Sequence, residues 1–214
     1  MENVLVKQPD GCAVKSLRQS GLRRRNFLAT AAASPLMFVT GGLKSSRTLA
    51  ATPSCDDGPT PRQTAGPFYK PQSPRRTSLV DAGMEGNTLA LTGRVLSTAC
   101  EPVAGAVLDF WHCDAGGNYD NRGFRFRGHQ FTDAQGMFSL ETLIPGIYPG
   151  RARHIHVIVQ APDGRPLVTQ LYFPGEKEND DDWIFDPVLT MGVEKVDGQL
   201  DAKFDFVLDL RRRG

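Results

Sequence analysis

Short apolar segments with alternating polar residues recur along the chain after its first fifty residues, and this pattern constrains the fold most strongly. Such segments lie at residues 87–97, 106–114, 128–133, 136–143, 153–161, 166–173 and 203–210. The breaks between them carry turn residues, as in DAQG, APDGRP and VDGQ. No segment of about ten residues or more in this region keeps the 3.6-residue period of a helix. The sequence therefore predicts an all-β fold, an antiparallel β-sandwich in a single domain.

The first fifty residues differ from the rest. Arginines at positions 18 and 23–25 precede an uncharged run of mostly small residues at 27–43. Within this region, RRNFLA at 24–29 resembles the twin-arginine export pattern. We interpret residues 1–51 as a twin-arginine-type export signal, which predicts a periplasmic or extracellular protein. The alternative is a membrane anchor, but the proline and glycines in the run make it short and weak for a permanent span.

The chain beyond the leader divides by composition. Residues 52–86 are rich in proline, glycine, threonine and serine and predict an irregular arm, whereas residues 87–214 carry the strand pattern of the sandwich, the predicted catalytic domain. The 25 basic and 24 acidic residues leave a net charge of +1. This balance gives no electrostatic case for nucleic acid and favours a small-molecule partner.

Cysteine usage limits the covalent cross-links. Of the four cysteines, Cys12 would leave with the leader, and the remaining three allow at most one internal pair. Cys55 near the mature start and Cys100 in a turn-like stretch are the favoured pair. Cys113 lies inside a strand pattern and is predicted to be a buried thiol.

Two histidines lie one residue apart in the segment RHIHVIVQ. On a strand, His154 and His156 point to the same face, with Cα atoms roughly 6 to 7 Å apart, which suits chelation of one metal ion. Only two further histidines exist, His112 and His129, too few for a dinuclear copper–zinc site. A zinc hydrolase that adds an aspartate remains a rival interpretation. Three carboxylates near Tyr119 are candidate rival ligands: Asp109, Asp114 and Asp120.

Tyrosine is scarce, and two of the four lie in glycine-flanked loops. Tyr119 stands in AGGNYDN after a strand, and Tyr148 stands in PGIYPGR just before the histidine strand. Further stretches accompany these loops: TAGPFY at 64–69, PVAGAVLDFWHCDAGGNY at 102–119, RGHQFTDAQG further on and TQLYFPGE at 169–176. With them, the chain resembles the intradiol ring-cleavage dioxygenases, which carry non-haem ferric iron.

The resemblance implies a site and a reaction. Tyr119, Tyr148, His154 and His156 match the four protein ligands of Fe(III), and Tyr148 matches the ligand that substrate displaces. Arg151 and Gln170 match residues beside the reacting ring. The implied reaction inserts both atoms of O2 into a catechol between its hydroxylated carbons and gives a muconic acid, with no organic cofactor. Two phenolates and a hydroxide balance the three charges of ferric iron, and two neutral imidazoles complete the set.

Several alternatives stay open at this point. A secreted β-sandwich binding module with a vestigial metal site is the competing class of protein. Arginines 122, 125 and 127 are interpreted either as contacts for an acidic ring substituent or as a solvated basic loop, and Phe110 and Trp111 as core residues. The short spacing between Tyr148 and His154 resembles a compact, exported branch of the family. The identity of the catechol and the oligomeric state, a homo-oligomer included, are not determined by the sequence.

Overall fold

A computed structural model of the chain describes residues 54–197 and 199–210, and these residues form a β-sandwich. The predicted export signal, residues 1–51, lies outside the described residues, as does Cys12. Within the described part, the only helical elements are 3₁₀ turns at Cys55–Asp57, Lys177–Asn179 and Pro187–Leu189. None of its helices is long and apolar enough to cross a membrane.

Nine strands are formed by the described residues. They are β1 (Thr88–Ser97), β2 (Val107–Trp111), β3 (Arg127–Phe131), β4 (Met137–Leu143), β5 (His154–Gln160), β6 (Leu167–Tyr172), β7 (Gly192–Val196), β8 (Gln199–Lys203) and β9 (Phe206–Leu208).

The strands make two sheets, so the predicted all-β sandwich is confirmed. One sheet has the order β4-β1-β8-β7, with β9 also paired to β1, and the other has the order β3-β2-β5-β6. Every pair in the second sheet is antiparallel, whereas β1 pairs in parallel with β8 and β9. The prediction of antiparallel pairing therefore holds except where the C-terminal strands return to β1.

The sequence prediction located six strands and misjudged the C-terminal end of the chain. The segment predicted as one strand at 203–210 is divided, because Phe204 and Asp205 interrupt the pairing with β1. The Asp205 carboxylate accepts the Arg94 backbone N–H at 2.8 Å, in place of a strand carbonyl. Strand β7 was not predicted, nor was β8 apart from its last residue, Lys203, since four of the five residues of each strand are exposed or half-buried.

The hydrophobic core lies between the sheets. Strand β5 contributes Ile155, Val157 and Val159, which are fully buried against residues such as Phe110 of β2 and Leu91 of β1. His154 and His156 lie on the opposite, outer face of the same strand, as alternation requires, and are nevertheless only 3% exposed. Another part of the chain must therefore cover that outer face.

The cover is supplied by the arm, the irregular segment before β1. Gln63 N–H donates to the carbonyl of Val168 at 2.8 Å, and the Thr169 hydroxyl donates to the carbonyl of Pro61 at 2.8 Å, so the arm runs beside the edge strand β6. Further along, Ser73 donates to the Asp109 carboxylate of β2 at 2.7 Å. The arm therefore crosses the outer face of the β3-β2-β5-β6 sheet.

A disulfide between Cys55 and Cys100 fixes the start of the arm, which confirms the favoured pairing. Cys113 is a buried free thiol, as expected. Its burial raises its pKa to about 11, so it stays protonated at neutral pH.

Candidate metal centre

The two histidines of β5 direct their Nε2 atoms at one point on the outer face. These atoms are 3.1 Å apart. His154 Nδ1 lies 2.6 Å from the carbonyl oxygen of Ala152, which only accepts, so Nδ1 carries the proton and Nε2 presents a lone pair. Burial lowers the pKa of His154 to about 4 and that of His156 well below its usual value. Both imidazoles are therefore neutral, the form that binds a metal.

Tyr119 reaches the same point from the loop after β2. Its hydroxyl oxygen is 3.2 Å from His154 Nε2. Phe68 of the arm stacks on its ring, with centroids 4.4 Å apart and planes inclined by 15°. Burial raises the pKa of Tyr119, so the phenol stays protonated unless a cation stabilises the phenolate.

Tyr148 comes from the loop that precedes β5. Its ring centroid lies 6.0 Å from that of Tyr119 and 5.5 Å from that of Phe68. The side chain is half-buried, more accessible than the histidines. The structure thus brings together all four residues that the sequence analysis selected as ligands.

The two tyrosine loops are held against each other by backbone contacts at glycine. Gly146 N–H donates to the carbonyl of Asp114 at 2.8 Å. A Cβ on Gly146 would lie 2.4 Å from the Ala115 carbonyl oxygen, and one on Gly117, whose φ is +82°, would lie 2.5 Å from that of Ile147. Only glycine allows this approach, which explains the AGGNY and PGIY sequences.

Arg151 and Gln170 lie together beside the histidines. Gln170 is the cross-strand partner of His156, and its Oε1 accepts from Arg151 Nη2 at 2.7 Å. Gln170 Nε2 donates to the carbonyl of Thr64 in the arm at 3.1 Å. Both residues predicted to face the reacting ring are therefore adjacent to the metal-ligand candidates.

Sequence reasoning missed Asp182, which fixes the orientation of Arg151. Arg151 Nε donates to the two Asp182 carboxylate oxygens at 3.1 and 3.0 Å, and Ala152 N–H donates to the same carboxylate at 2.9 Å. The Asp182 side chain is fully buried. It stands in the acidic run ENDDDW, where nothing in the sequence distinguishes it from its exposed neighbours.

The role of Trp111 was also only partly foreseen. It is buried, as predicted, but on the outer face of β2, where its ring stacks on His156 with centroids 4.8 Å apart and planes 1° apart. Tyr69 of the arm packs on it from a centroid distance of 4.9 Å. The indole therefore sets the plane of one imidazole, while Phe110 belongs to the core between the sheets.

The rival carboxylates are engaged elsewhere. Asp109 accepts from Ser73, and Asp114 accepts the backbone N–H groups of Gly116 and Asn118 at 2.9 Å. Asp120 accepts three backbone N–H groups of its own loop, which lower its pKa to about 2. These contacts disfavour the zinc-hydrolase interpretation, which requires one of these aspartates beside the histidines.

The three arginines of the loop after Tyr119 separate into two kinds. Arg122 and Arg125 are exposed, and Arg125 lines a cleft of about 240 Å³ together with Tyr119 and Phe126. Arg127 is only 1% exposed. Both interpretations offered from the sequence are wrong for Arg127, because burial excludes it from solvent and its guanidinium bonds two backbone carbonyls.

Fold and geometry together define a β-sandwich with two tyrosines and two neutral histidines gathered on the covered outer face of one sheet. A family model described as dioxygenase matches residues 64–211. The solved dioxygenase domain of a dioxygenase–carbohydrate-binding fusion from Streptomyces sp. SirexAA-E is 54% identical, covers 72% of this chain and 99% of that one, and superposes with a TM-score of 0.70. The chain belongs to the family of intradiol ring-cleavage dioxygenases.

Curated relatives agree on this family at lower identity. Catechol 1,2-dioxygenase 2 of Acinetobacter lwoffii is 32% identical in an alignment of length 155 that covers 60% of this chain and 56% of the relative. The 6-chlorohydroxyquinol 1,2-dioxygenase of Cupriavidus pinatubonensis is 29% identical in an alignment of length 193 that covers 76% of this chain and 69% of the relative. The chain thus spans a little over half of the length of the first relative.

Proposed function

We propose that the protein is a non-haem iron(III) dioxygenase that inserts both atoms of O2 into a catechol between its two hydroxylated carbons and yields a muconic acid. One observation carries the proposal. His154 Nε2 lies 3.2 Å from Tyr119 Oη and 3.1 Å from His156 Nε2, and Tyr148 and Arg151 lie beside these donor atoms. The names of the relatives, catechol and 6-chlorohydroxyquinol 1,2-dioxygenase, support the substrate class.

The donor set fits ferric iron. Tyr119, Tyr148, His154 and His156 would hold the ion, with two anionic oxygens and two neutral nitrogens. His154 is fixed in the required tautomer by the Ala152 carbonyl, and its lone pair faces the Tyr119 hydroxyl at 3.2 Å and His156 Nε2 at 3.1 Å. When bound, ferric iron would supply the Lewis acidity that ionises the phenols and the catechol and would draw electron density from the ring.

Tyr148 is suited to move a proton. As a phenolate it would accept a proton from one catechol hydroxyl as the substrate binds, because a phenol and a catechol hydroxyl have similar basicity. Its ring meets Phe68 edge-on at a centroid distance of 5.5 Å, whereas the Tyr119 ring is stacked on Phe68 at 4.4 Å. Tyr119 would stay in place, held under Phe68.

Arg151 and Gln170 would orient the ring and stabilise its charge. The guanidinium is held by Asp182 on one side and by Gln170 on the other, so it requires little reorganisation when negative charge develops on the substrate. Gln170 in turn is tied to the arm through Thr64. The arm residues Phe68 and Gly66 and the indole of Trp111 exclude water from the histidine side of the site.

The reaction is tested by isotope labelling. Iron-loaded protein supplied with catechol and ¹⁸O2 should consume one O2 per catechol and give a ring-opened diacid carrying two ¹⁸O atoms. Tyr119→Phe should abolish the reaction, whereas Tyr69→Phe, a tyrosine of the arm outside the ligand set, should retain it. Absence of oxygen uptake over a panel of catechols, or a product with a single labelled oxygen, would refute the proposal.

A further inference from the structure

Arg127 is a buried cation close to the proposed metal centre, and no carboxylate of the described residues is bonded to it. Its side chain is 1% exposed. Nε donates to the carbonyl of Asp120 at 3.1 Å and Nη1 donates to the carbonyl of Phe68 at 2.7 Å, while Nη2 is buried with no partner among the described residues. A buried charge that lacks a counterion is costly, so its retention calls for compensation.

The two carbonyls that Arg127 binds belong to two residues adjacent to Tyr119. Asp120 follows Tyr119 in the chain, and Phe68 stacks on the ring at 4.4 Å. One guanidinium therefore joins the tyrosine loop to the arm. Because the guanidinium fork is planar and rigid, the two bonds fix the loop and the arm relative to each other.

The sheet register places Arg127 in line with the histidine site. Arg127 is the cross-strand partner of Trp111, which is in turn the partner of His156. Among the described residues, the charges of Asp120 and Asp109 act on Arg127, but neither carboxylate bonds the guanidinium: Asp120 accepts backbone N–H groups, and Asp109 is hydrogen-bonded to Ser73. A phenolate at Tyr119 would add a further negative charge that acts on the guanidinium.

We propose that Arg127 is a positioning residue for the metal centre, which clamps Phe68 to the Tyr119 loop and provides, in addition to Arg151, positive charge for the Tyr119 phenolate. The inference rests on the proposed function, since it requires Tyr119 to bind a trivalent metal. It assigns Arg127 no contact with the substrate. It differs from the role proposed for Arg151, whose guanidinium is bonded to Asp182 and Gln170.

Metal binding by the full chain tests the proposal without recourse to activity. Ga(III), a redox-inert ion of the same charge as ferric iron, is titrated in citrate competition into the wild type and into Arg127→Met, Arg127→Lys and the matched control Arg125→Met. Arg127→Met should lose about 10- to 100-fold in affinity, the usual effect of removing a residue that supports a ligand. Arg127→Lys keeps the charge but not the planar guanidinium and should lose less, between about threefold and tenfold, and Arg125→Met should match the wild type.

Visible absorption of the iron-loaded variants separates a countercharge from a merely structural role. Loss of the cation raises the energy of the phenolate electrons, so the tyrosinate-to-iron band of Arg127→Met should move to longer wavelength, and that of Arg127→Lys should stay near the wild type.

An unshifted Arg127→Met band, or Arg127→Lys affinity within twofold of the wild type, overturns the Arg127 proposal alone. If Arg127→Met does not fold, the affinity of Arg127→Lys decides. A wild type that binds neither metal overturns the proposed function as well.

Discussion

Asp182 is the residue on which the orientation of Arg151 depends. Its fully buried carboxylate bonds the Arg151 guanidinium and the Ala152 backbone, two positions before the first histidine. Asp182→Asn keeps the shape and removes the charge, so the guanidinium should rotate away from Gln170. We expect kcat/KM for catechol to fall about 100-fold, the cost of a misplaced catalytic group, with the tyrosinate-to-iron band unchanged.

Glu176→Gln is the matched control for Asp182. It removes the carboxylate of the more exposed Arg153–Glu176 pair, whose side chains are 21% and 26% exposed, and should change kcat/KM less than twofold. Equal kinetics in the two variants would show that Arg151 does not need its partner.

Gly146 tests the close approach of the two tyrosine loops. In Gly146→Ala the new Cβ would meet the Ala115 carbonyl at 2.4 Å, and neither backbone can give way without moving a tyrosine. We expect a loss of about 1–3 kcal/mol of stability and weaker iron binding, measured by thermal unfolding and iron content. In the control Gly116→Ala, the added Cβ meets only the side chains of Asn118 and Asp114, at 3.1 and 3.3 Å. A stable, iron-replete Gly146→Ala protein would contradict the bracing role.

At the scale of elements, β5 could be predicted and its covering could not. The alternation of Ile155 and Val157 with His154 and His156 identified the strand and put both imidazoles on one face. The same local pattern does not show that the arm buries this face, because the contacts of Phe68 with Tyr119 and of Gln63 with Val168 span 51 and 105 residues of sequence. Asp182 was missed and Arg127 was misinterpreted for the same reason, since Arg151 and Phe68, the residues they bond, are distant in the chain.

The disulfide between Cys55 and Cys100 ties the arm to the turn after β1. It closes a loop with a sequence separation of 45, for which the chain-entropy model gives a stabilisation of about 4 kcal/mol. The free energy of unfolding of a Cys55→Ala, Cys100→Ala double variant should therefore be lower by about that amount, and the variant should unfold at a lower denaturant concentration. Reductant should destabilise the wild type and leave the double variant unchanged. Equal stability of the two oxidised proteins would show that the arm is held by its hydrogen bonds alone.

At the scale of the whole molecule, the sandwich positions the proposed chemistry outside its own core. The core between the sheets stabilises β2, β5 and β6, and these strands carry Trp111, His156 and Gln170 side by side on the outer face. The loops at one end of the sheet add Tyr119 and Tyr148, and the arm covers them. This arrangement lets the ligand set be assembled without disturbing the hydrophobic layer.

The predicted export of the whole protein is open to a direct test. Residues 1–51 lie outside the described residues, so the twin-arginine assignment rests on the sequence alone. Replacing Arg24 and Arg25 by lysine should hold the protein in the cytoplasm, as judged by fractionation, whereas replacing Arg18 by lysine should not. Export that persists in the double variant would contradict the assignment.

Two tyrosines and two histidines are proposed to hold ferric iron, and the visible spectrum of the loaded protein reports on this ligand set. Purified protein loaded with one Fe(III) per chain should be burgundy, with a tyrosinate-to-iron charge-transfer band that Tyr119→Phe and Tyr148→Phe each weaken and shift and that Tyr69→Phe leaves unchanged. A colourless protein that binds stoichiometric zinc in preference to iron, or a band indifferent to Tyr119 and Tyr148, would contradict the account.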